Sequence, residues 1–240
     1  METLPIESEQ VLRLTTVLGR NGLMLESHQA RVLAAYVGLL REWNSKLNLI
    51  SRKDVEHVWT SHILHSLSLL FYIDFPPGID LLDLGTGGGL PGIPLAVLRP
   101  DLHVTLLDSI RKKTAAVESM VDCLPLGNVT VITSRAEDLL KNERKKFDVI
   151  VSRAVAPLSD LLKWTRGLHD KSRRLPVRFK GQVEGLRTPL LVAFKGGKIE
   201  DELRLSRSRF PAVTMHEVSL NFEGCTDVGL VEKRLVIAEL

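Results

Sequence analysis

The sequence predicts an α/β protein: a mostly parallel, seven-stranded sheet with helices on both faces, preceded by a small N-terminal helical layer. From residue 79 onward, short apolar runs alternate with segments of helical periodicity, the order of elements in a parallel sheet. Before residue 75, apolar residues recur at the 3–4 spacing of amphipathic helices. A glycine-rich turn directly follows the first apolar run. The predicted strands are residues 79–84, 103–107, 129–132, 147–151, 190–194, 213–220 and 234–239.

The N-terminal layer is predicted to occupy residues 1–75 and to pack on a sheet domain of residues 76–240. Two polar residues stand where helices of this layer should begin. Ser27 precedes one apolar periodic stretch and Asp54 precedes another, and both residue types are common helix N-caps. The Pro-Pro-Gly sequence at 76–78 ends the layer, because neither proline nor glycine continues a helix readily.

Composition restricts the class of protein. The chain has 240 residues, 44% of them hydrophobic, and a formal net charge of +3, which is typical of a globular protein with a substantial core. The N-terminus carries acids and no long apolar run, so we predict neither a signal peptide nor a membrane span and expect a cytoplasmic protein. The cysteines Cys123 and Cys225 lack metal-ligand spacing, and we expect Cys123 in the core.

The glycine-rich turn after the first predicted strand is the most informative stretch. The strand ends in Asp83-Leu84, four glycines lie between residues 85 and 89, and a proline-containing apolar run follows. A strand, a glycine turn and a helix N-terminus bring backbone N–H groups up to a bound ligand. Glycine permits close approach and a positive φ. The turn therefore predicts a nucleotide-type cofactor site.

Two alignments of these glycines suggest different cofactors. Gly87, Gly89 and Gly92 fit the G-x-G-x-x-G pattern of dinucleotide sites. Counted from Gly85, where the strand ends, the pattern is D-x-G-x-G-x-G with Leu90 at a position where the dinucleotide motif has glycine. The acid before that first glycine is typical of S-adenosylmethionine (SAM) sites, so we favour SAM. A dinucleotide, or a turn without a ligand, stays open, whereas the missing lysine excludes a P-loop.

The carboxyl ends of the predicted strands supply the other candidate residues, because ligands of parallel sheets bind at that edge. Asp108 follows the turn by roughly the ~20 residues expected of the acid that binds a ribose, although it could instead cap a helix. Glu137 has the same two interpretations. Arg153 suits a base oxygen, a phosphate or a carboxylate, or a surface ion pair. Lys195 could contact RNA or the cofactor, or be solvated.

Several motifs together resemble the small-subunit ribosomal RNA guanine-N7 methyltransferases of the RsmG/GidB family. D-L-G-T-G-G-G-L-P-G-I-P-L starts at residue 83, and S-R-A-E, S-R-A and F-K-G follow in the family's order, so the likeness covers about residues 40–205. It implies a Rossmann-like class I SAM-dependent methyltransferase that methylates N7 of a guanosine in 16S ribosomal RNA of the small ribosomal subunit. The positions that match the family's cofactor contacts are Gly85, Leu90, Ala136, Glu137 and Arg153. From the glycine turn and the strand ends we add Asp83, Gly87, Gly89 and Asp108 as predicted cofactor contacts, and Arg153 and Lys195 as predicted catalytic residues.

Methylation of guanine N7 requires neither a general base nor a metal ion from the protein. Guanine N7 carries an in-plane lone pair and no proton, so its methylation needs positioning and charge stabilisation rather than a general base. We predict no metal site, because His57, His62 and His65 lack a further strong ligand and are better explained by packing or hydration. A non-catalytic nucleotide- and RNA-binding protein, or an NAD(P)-dependent dehydrogenase, stays an alternative.

Two departures from the family pattern stand out. His65 occupies a position where the family usually has aspartate. Residues 167–189 form a basic insertion, which we predict to be a mobile loop that either neutralises RNA phosphates or is merely solvated. Its cations are Lys171, Arg173, Arg174, Arg178, Lys180 and Arg187, and its acids are Asp170 and Glu184.

Overall fold

A computed structural model of the chain describes residues 6–142, 146–180 and 185–240. Within them, one sheet has seven strands and a separate sheet has two. The two short strands are β1 (Ile73–Asp74) and β6 (Arg178–Phe179). The strands of the large sheet are β2 (Asp80–Leu84), β3 (His103–Asp108), β4 (Val129–Thr133), β5 (Val149–Arg153), β7 (Leu190–Gly196), β8 (Thr214–Ser219) and β9 (Lys233–Glu239).

Helices surround the large sheet. The segment between the second and third α-helices contains a 3-10 turn (Arg52–Asp54) and a π-helix (Val58–Leu64), and a second 3-10 turn (Thr226–Val228) precedes β9. No helix among the described residues is long and apolar enough to cross a membrane. The α-helices are α1 (Ile6–Arg20), α2 (Ser27–Lys46), α3 (His65–Leu67), α4 (Leu69–Tyr72), α5 (Gly92–Leu98), α6 (Arg111–Asp122), α7 (Ala136–Asn142), α8 (Leu158–Trp164) and α9 (Glu200–Arg209).

The strand order of the large sheet is β4-β3-β2-β5-β7-β9-β8. The strands from β4 to β7 are mutually parallel, and β9 and β8 add an antiparallel edge. The chain therefore runs outward from β2 to β4 and returns to β5 on the other side of β2. Such a reversal leaves a crevice at the carboxyl ends of the two central strands. The predicted α/β fold class is confirmed.

The N-terminal helices belong to the hydrophobic core on one face of the sheet. The buried side chains of Tyr36 and Leu40 on α2 are part of the same apolar cluster as Leu81 and Val151 in the central strands. Gln29 also donates from its side chain to the Val97 carbonyl on α5, at 3.0 Å. A second cluster covers the other face with residues of α7, α8 and α9. The domain boundary near residue 75 stays a prediction.

Two predicted helix caps and one burial assignment are wrong. Glu26, rather than Ser27, is the N-cap of α2, where it forms a capping box with Gln29. Asp54 ends a 3-10 turn instead of capping the following helix, whose N-cap is His57. Cys123 is exposed because it lies beyond the last turn of α6, whereas Cys225 is buried.

The described part of the basic insertion is tied to the sheet domain, in contrast to the mobile loop that we predicted. Its strand β6 pairs antiparallel with β1. Arg173 binds Asp148 at 2.9 Å and Asp80 at 3.2 Å, and both acids lie at the amino ends of central strands. This edge is opposite the glycine turn. Residues 181–184, including Glu184, lie outside the described residues.

Candidate cofactor and active site

The glycine turn at the end of β2 requires glycine at specific positions. Gly85, Gly87 and Gly89 have φ values of +71°, +59° and +99°, which L-residues with side chains rarely adopt. A Cβ on Gly85 would overlap the side chain of Val155. The backbone N–H groups of Gly85 and Thr86 both donate to the Leu107 carbonyl, at 2.8 and 2.9 Å. The turn is thereby held against the end of β3.

Asp83 holds the turn from below. Its side chain is fully buried, and its Oδ2 accepts hydrogen bonds from the Thr86 hydroxyl at 2.7 Å and from the Gly92 N–H at 2.9 Å. Burial raises the pKa of Asp83 to about 6, despite these two hydrogen bonds. Asp83 therefore joins the strand end to the start of α5, and a direct contact with a cofactor stays a prediction.

Asp108 lies at the carboxyl end of β3, next to the turn. Its Oδ2 accepts from the Gly87 N–H at 3.1 Å, and its Oδ1 accepts from the Ile110 N–H at 2.9 Å. The side chain therefore supports the turn and the start of α6, yet each oxygen keeps a further lone pair. Because Asp108 also lines a cavity, it is placed to accept hydrogen bonds from a ligand.

Three cavities meet at this edge of the sheet, and Ala154 lines all of them. The turn cavity, of about 500 Å³, lies between the glycine turn and the segment from Leu49 to His65. The acid cavity, of about 370 Å³, lies beside Asp108 and is also lined by Ser134, Ala136 and Glu137. The lysine cavity, of about 420 Å³, is lined by His65, Arg153, Phe194, Lys195, Glu202 and Lys233, among others.

Ala154 itself has a positive φ of +57° although it is not glycine. Such a conformation costs free energy and persists where the surrounding structure enforces it, which is common at functional sites. The residue follows β5 directly, so the unusual turn changes the course of the chain at the point where the three cavities meet.

Arg153 is the central cation of the site. Its Nη1 donates to the Ser61 carbonyl at 3.3 Å and its Nη2 donates to His62 Nδ1 at 2.9 Å. Burial lowers the pKa of Arg153, and no described carboxylate forms an ion pair with it. Its remaining N–H donors are thus available to an anionic or polar ligand of the turn or lysine cavity.

Two histidines accompany this arginine. Burial and the charges of Arg153 and Lys233 lower the pKa of His62 to about 3, and the same causes hold the pKa of His65 well below its ordinary value. Both rings are therefore neutral at pH 7. The Nε2 atoms of His62 and His65 have no hydrogen-bond partner among the residues that the structure describes. Within those residues, no group of His, Cys, Asp and Glu could hold a metal ion.

Lys195 is bound more tightly than a solvated strand end. Its Nζ lies 2.6 Å from Glu202 Oε1 and donates to the Ala156 carbonyl at 2.8 Å. The Lys195 side chain is only 13% exposed, and its ammonium fixes the loop after β5 to the start of α9. A direct role of Lys195 in catalysis stays a prediction. To contact a substrate, its ammonium would have to do so while bound to Glu202 and Ala156, or would have to give up one of these partners.

The structure brings most of the predicted site residues to one edge. Gly85, Gly87 and Leu90 line the turn cavity, and Ala136 and Glu137 line the acid cavity. Gly89 lies beneath, against Ile93 and Tyr36, whose hydroxyl donates to the Gly88 carbonyl at 2.8 Å. Sequence reasoning missed Thr86, although it lies within the glycine motif. It also missed residues of the turn cavity that come from distant segments without a local motif: Ser51, Asp54, Ser61 and Lys233.

Comparisons with solved structures agree with this fold. TrmN from Thermus thermophilus superposes with a TM-score of 0.51 at 18% identity, covering 73% of this chain and 48% of that one. Ribosomal protein L11 methylase from Lactobacillus delbrueckii gives a TM-score of 0.50 at 12% identity, covering 75% and 78%. These likenesses show the fold, which is the Rossmann-like sheet that the motifs predicted for a class I methyltransferase.

The family follows from sequence comparison. The family model "GidB: rRNA small subunit methyltransferase G" matches residues 29–185. Ribosomal RNA small subunit methyltransferase G of Bacteroides thetaiotaomicron is 40% identical, over 83% of this chain and 88% of that protein. The protein of the same name from Chlorobium limicola is 36% identical, over 97% and 98%. The chain belongs to the GidB (rRNA small subunit methyltransferase G) family, which confirms the resemblance found in its motifs.

The site fits SAM by its own geometry. The turn leaves its cavity open because two glycines with positive φ, Gly85 and Gly87, stand at its wall in place of residues with side chains. The acid cavity adjoins the turn cavity at Gly85, so a ligand with two ends can span both. One cavity offers the carboxylate of Asp108 and the other the half-buried cation of Arg153, which suit a ribose diol and a carboxylate, respectively.

Proposed function

We propose that this chain transfers a methyl group from SAM to N7 of a guanosine in 16S ribosomal RNA, acting on the small ribosomal subunit in the cytoplasm. Family membership supports the RNA substrate, because the relatives are named for the small ribosomal subunit. The observation that carries the chemical assignment is the site itself: a cofactor cradle adjoins a polar cavity whose histidines are neutral and whose central group is a cation.

The cofactor contacts in this proposal follow from the cavities. Asp108 accepts hydrogen bonds from the ribose hydroxyls, with Ala136 and Glu137 beside the adenine. Backbone groups of Gly85 and Gly87 approach the methionine part, whose carboxylate pairs with Arg153. Asp83 positions the turn through its hydrogen bonds with Thr86 and Gly92. SAM, when bound, supplies an electrophilic methyl group on a positively charged sulfur.

The transfer requires little proton chemistry from the protein. The N7 lone pair of guanine forms the new N–C bond, and the purine becomes positively charged while the sulfur loses its charge. A cation that contacted the base would oppose this charge, so Arg153 serves better on an anion. The protein contributes alignment of N7 with the methyl group, exclusion of water and acceptors for the purine N–H groups. Lys195 shapes the neighbouring wall through Glu202.

The test uses the purified chain with radiolabelled SAM and small ribosomal subunits that lack this modification. We expect label in 16S rRNA, and 7-methylguanosine on nucleoside mass spectrometry of the digested RNA. Subunits that already carry the methyl group serve as the matched control and should accept none. Label in another nucleoside, or SAM binding without transfer, would contradict the assignment.

A further inference from the structure

His65 is a buried side chain with one nitrogen unused. It is 6% exposed and lines both the turn cavity and the lysine cavity. Its ring is hydrogen-bonded to the Ser61 carbonyl, which leaves Nε2 without a partner among the described residues. A buried nitrogen in this state costs free energy unless a ligand or water satisfies it.

The ring is fixed in orientation on two sides. Ser61 holds one edge by the hydrogen bond to its carbonyl, which Arg153 Nη1 shares at 3.3 Å. Phe194 contacts the ring edge-on, with 5.3 Å between the centroids and 82° between the planes. Because Nδ1 is the donor to Ser61, a neutral ring presents Nε2 as a lone pair, that is, as an acceptor.

Acceptors are scarce where His65 faces the lysine cavity. Arg153, Lys195 and Lys233 contribute donors to its walls. Glu202 is its carboxylate, but Oε1 of this side chain already accepts from Lys195 and from the Leu158 N–H. Among the described residues, His65 lines both cavities, and its Nε2 is a buried side-chain acceptor without an internal partner.

We propose that His65 Nε2 reads the target base by accepting a hydrogen bond from guanine N1–H, an inference that rests on the proposed function. Guanine N1 carries a proton, whereas adenine N1 carries a lone pair that would face the lone pair of His65. The contact therefore favours guanine over adenine, because a mismatched buried polar pair costs more than the absence of one hydrogen bond.

The same contact is stronger in the transition state than in the bound substrate. As N7 forms its bond to the methyl carbon, the C–S bond breaks and its electron pair stays on sulfur. The purine gains positive charge, which makes N1–H a better donor while its proton stays on the base. A neutral acceptor at N1–H stabilises this charge, so the hydrogen bond contributes to kcat as well as to specificity.

The test compares three target bases in reconstituted small ribosomal subunits. Guanosine and inosine both carry N1–H, whereas 2-aminopurine does not. Replacement His65→Phe keeps an aromatic ring against Phe194 and removes the acceptor. We expect kcat/KM to fall roughly tenfold on guanosine and inosine. On 2-aminopurine it should not fall, and it should rise to the extent that the two facing lone pairs repel each other in the wild type. His65→Gln, which offers an oxygen at similar reach, should recover most of the loss. The exposed His57, replaced by Phe, is the matched control.

Each other outcome identifies a different error. Equal losses on all three bases would make His65 a purely structural residue and overturn the proposal. Weaker SAM binding by the His65→Phe variant would place the cofactor, not the base, at Nε2. If the His65→Phe variant does not fold, we compare His65→Asn with His65→Gln. Asparagine keeps the contact with Ser61 but is too short to reach guanine N1–H. A wild-type chain that makes no 7-methylguanosine contradicts the proposed function itself, independently of His65.

Discussion

At the residue scale, two acids beside the glycine turn differ in what their oxygens leave free. Asp83 is fully buried and both hydrogen bonds go to one oxygen, whereas Asp108 uses one bond on each oxygen and borders a cavity. From the sequence, both acids were predicted to contact the cofactor, and nothing in the spacing of the motif distinguished one from the other. Burial at the strand end, set by tertiary packing, separates a group that shapes the turn from one that can reach a ligand.

Replacement Asp108→Asn should weaken SAM binding. The charge is lost, and each charge-assisted hydrogen bond to a ribose hydroxyl contributes about 1.5–3 kcal/mol. Isothermal titration with SAM measures the effect, and the KM for ribosomal subunits should change much less. Glu118→Gln, an exposed acid on α6, makes the same change in charge and is the control. If the binding of SAM and of ribosomal subunits weakened equally, the substitution would have damaged the glycine turn rather than only removed hydrogen bonds to SAM.

Asp83 makes stability depend on pH. Its pKa is about 6 in the folded chain against an ordinary 3.8, so the folded state holds this proton more tightly than the unfolded state. The contribution of Asp83 to the free energy of unfolding should therefore fall by about 3 kcal/mol as the pH rises from 4 to 6. Above pH 6 this contribution should stay constant. Asp83→Asn should remove that fall, because its amide oxygen can still accept from Thr86 and Gly92.

Urea unfolding of wild type and Asp83→Asn at several pH values between 4 and 7 measures this difference. All other titrating groups are common to both proteins, so they cancel in the comparison. The Glu118→Gln variant should follow the wild-type curve. If the free energies of unfolding of wild type and Asp83→Asn changed in parallel with pH across this range, the pKa of the Asp83 carboxyl would not be raised by burial.

At the scale of elements, strands were easier to predict than helix ends. The central parallel strands are nearly continuous apolar runs, which makes them easy to recognise. Each of the seven predicted strands, including those at the edges of the sheet, agrees with an observed one to within two residues. Helix caps depend on a few side-chain contacts. Ser27 has the usual residue type for a cap, yet Glu26 is the N-cap because Gln29 completes its capping box. That choice depends on local geometry rather than residue preference.

Replacement Gly87→Val tests the glycine turn. An added Cβ would lie 3.7 Å from the Leu49 carbonyl oxygen, so space alone permits it, but the φ of +59° disfavours a β-branched residue. We expect SAM binding to be lost while the chain stays folded, with a cost of roughly 1–2 kcal/mol in stability. Gly127→Val, where φ is not positive and no atom lies near, is the matched control. A folded Gly87→Val variant with normal SAM affinity would contradict the position of the cofactor.

The basic insertion contains cations with two different surroundings. Arg173 binds the buried Asp148 at the amino edge of the sheet, so Arg173→Ser should lower stability by about 1–3 kcal/mol without changing SAM affinity. Arg174 and Arg178 are exposed and carry the hypothesis of RNA binding. When both are replaced by serine, the slope of log binding constant against log salt concentration should decrease in magnitude. The decrease should be roughly 0.7–0.9 for each RNA phosphate that is no longer neutralised. An unchanged slope would leave them as solvated residues.

At the scale of the whole molecule, the active site depends on contacts between distant segments. Arg153 at the end of β5 meets His62 in the π-helix, 91 positions earlier in the chain. Lys233 of β9 acts on the same histidine. No local pattern predicts such contacts, because they arise when the N-terminal helices pack over the glycine turn. The sequence therefore predicted which residues lie at the glycine-turn edge of the sheet, but not the residues that the N-terminal helices bring to that edge.

The last prediction concerns the form of RNA that the chain accepts. Between residues 6 and 240, the described segments form the sheet domain and the helices that share its core, and none forms a separate RNA-binding module. Recognition of RNA must then use the outer surface of the sheet domain and these helices, which reads the shape of folded RNA more than its sequence. We expect methylation of intact small subunits but little of a short hairpin carrying the same guanosine, measured as kcat/KM with radiolabelled SAM. Protein-free, refolded 16S rRNA is the intermediate control. Full turnover on the hairpin would mean that local sequence suffices and that the surrounding surface is not needed.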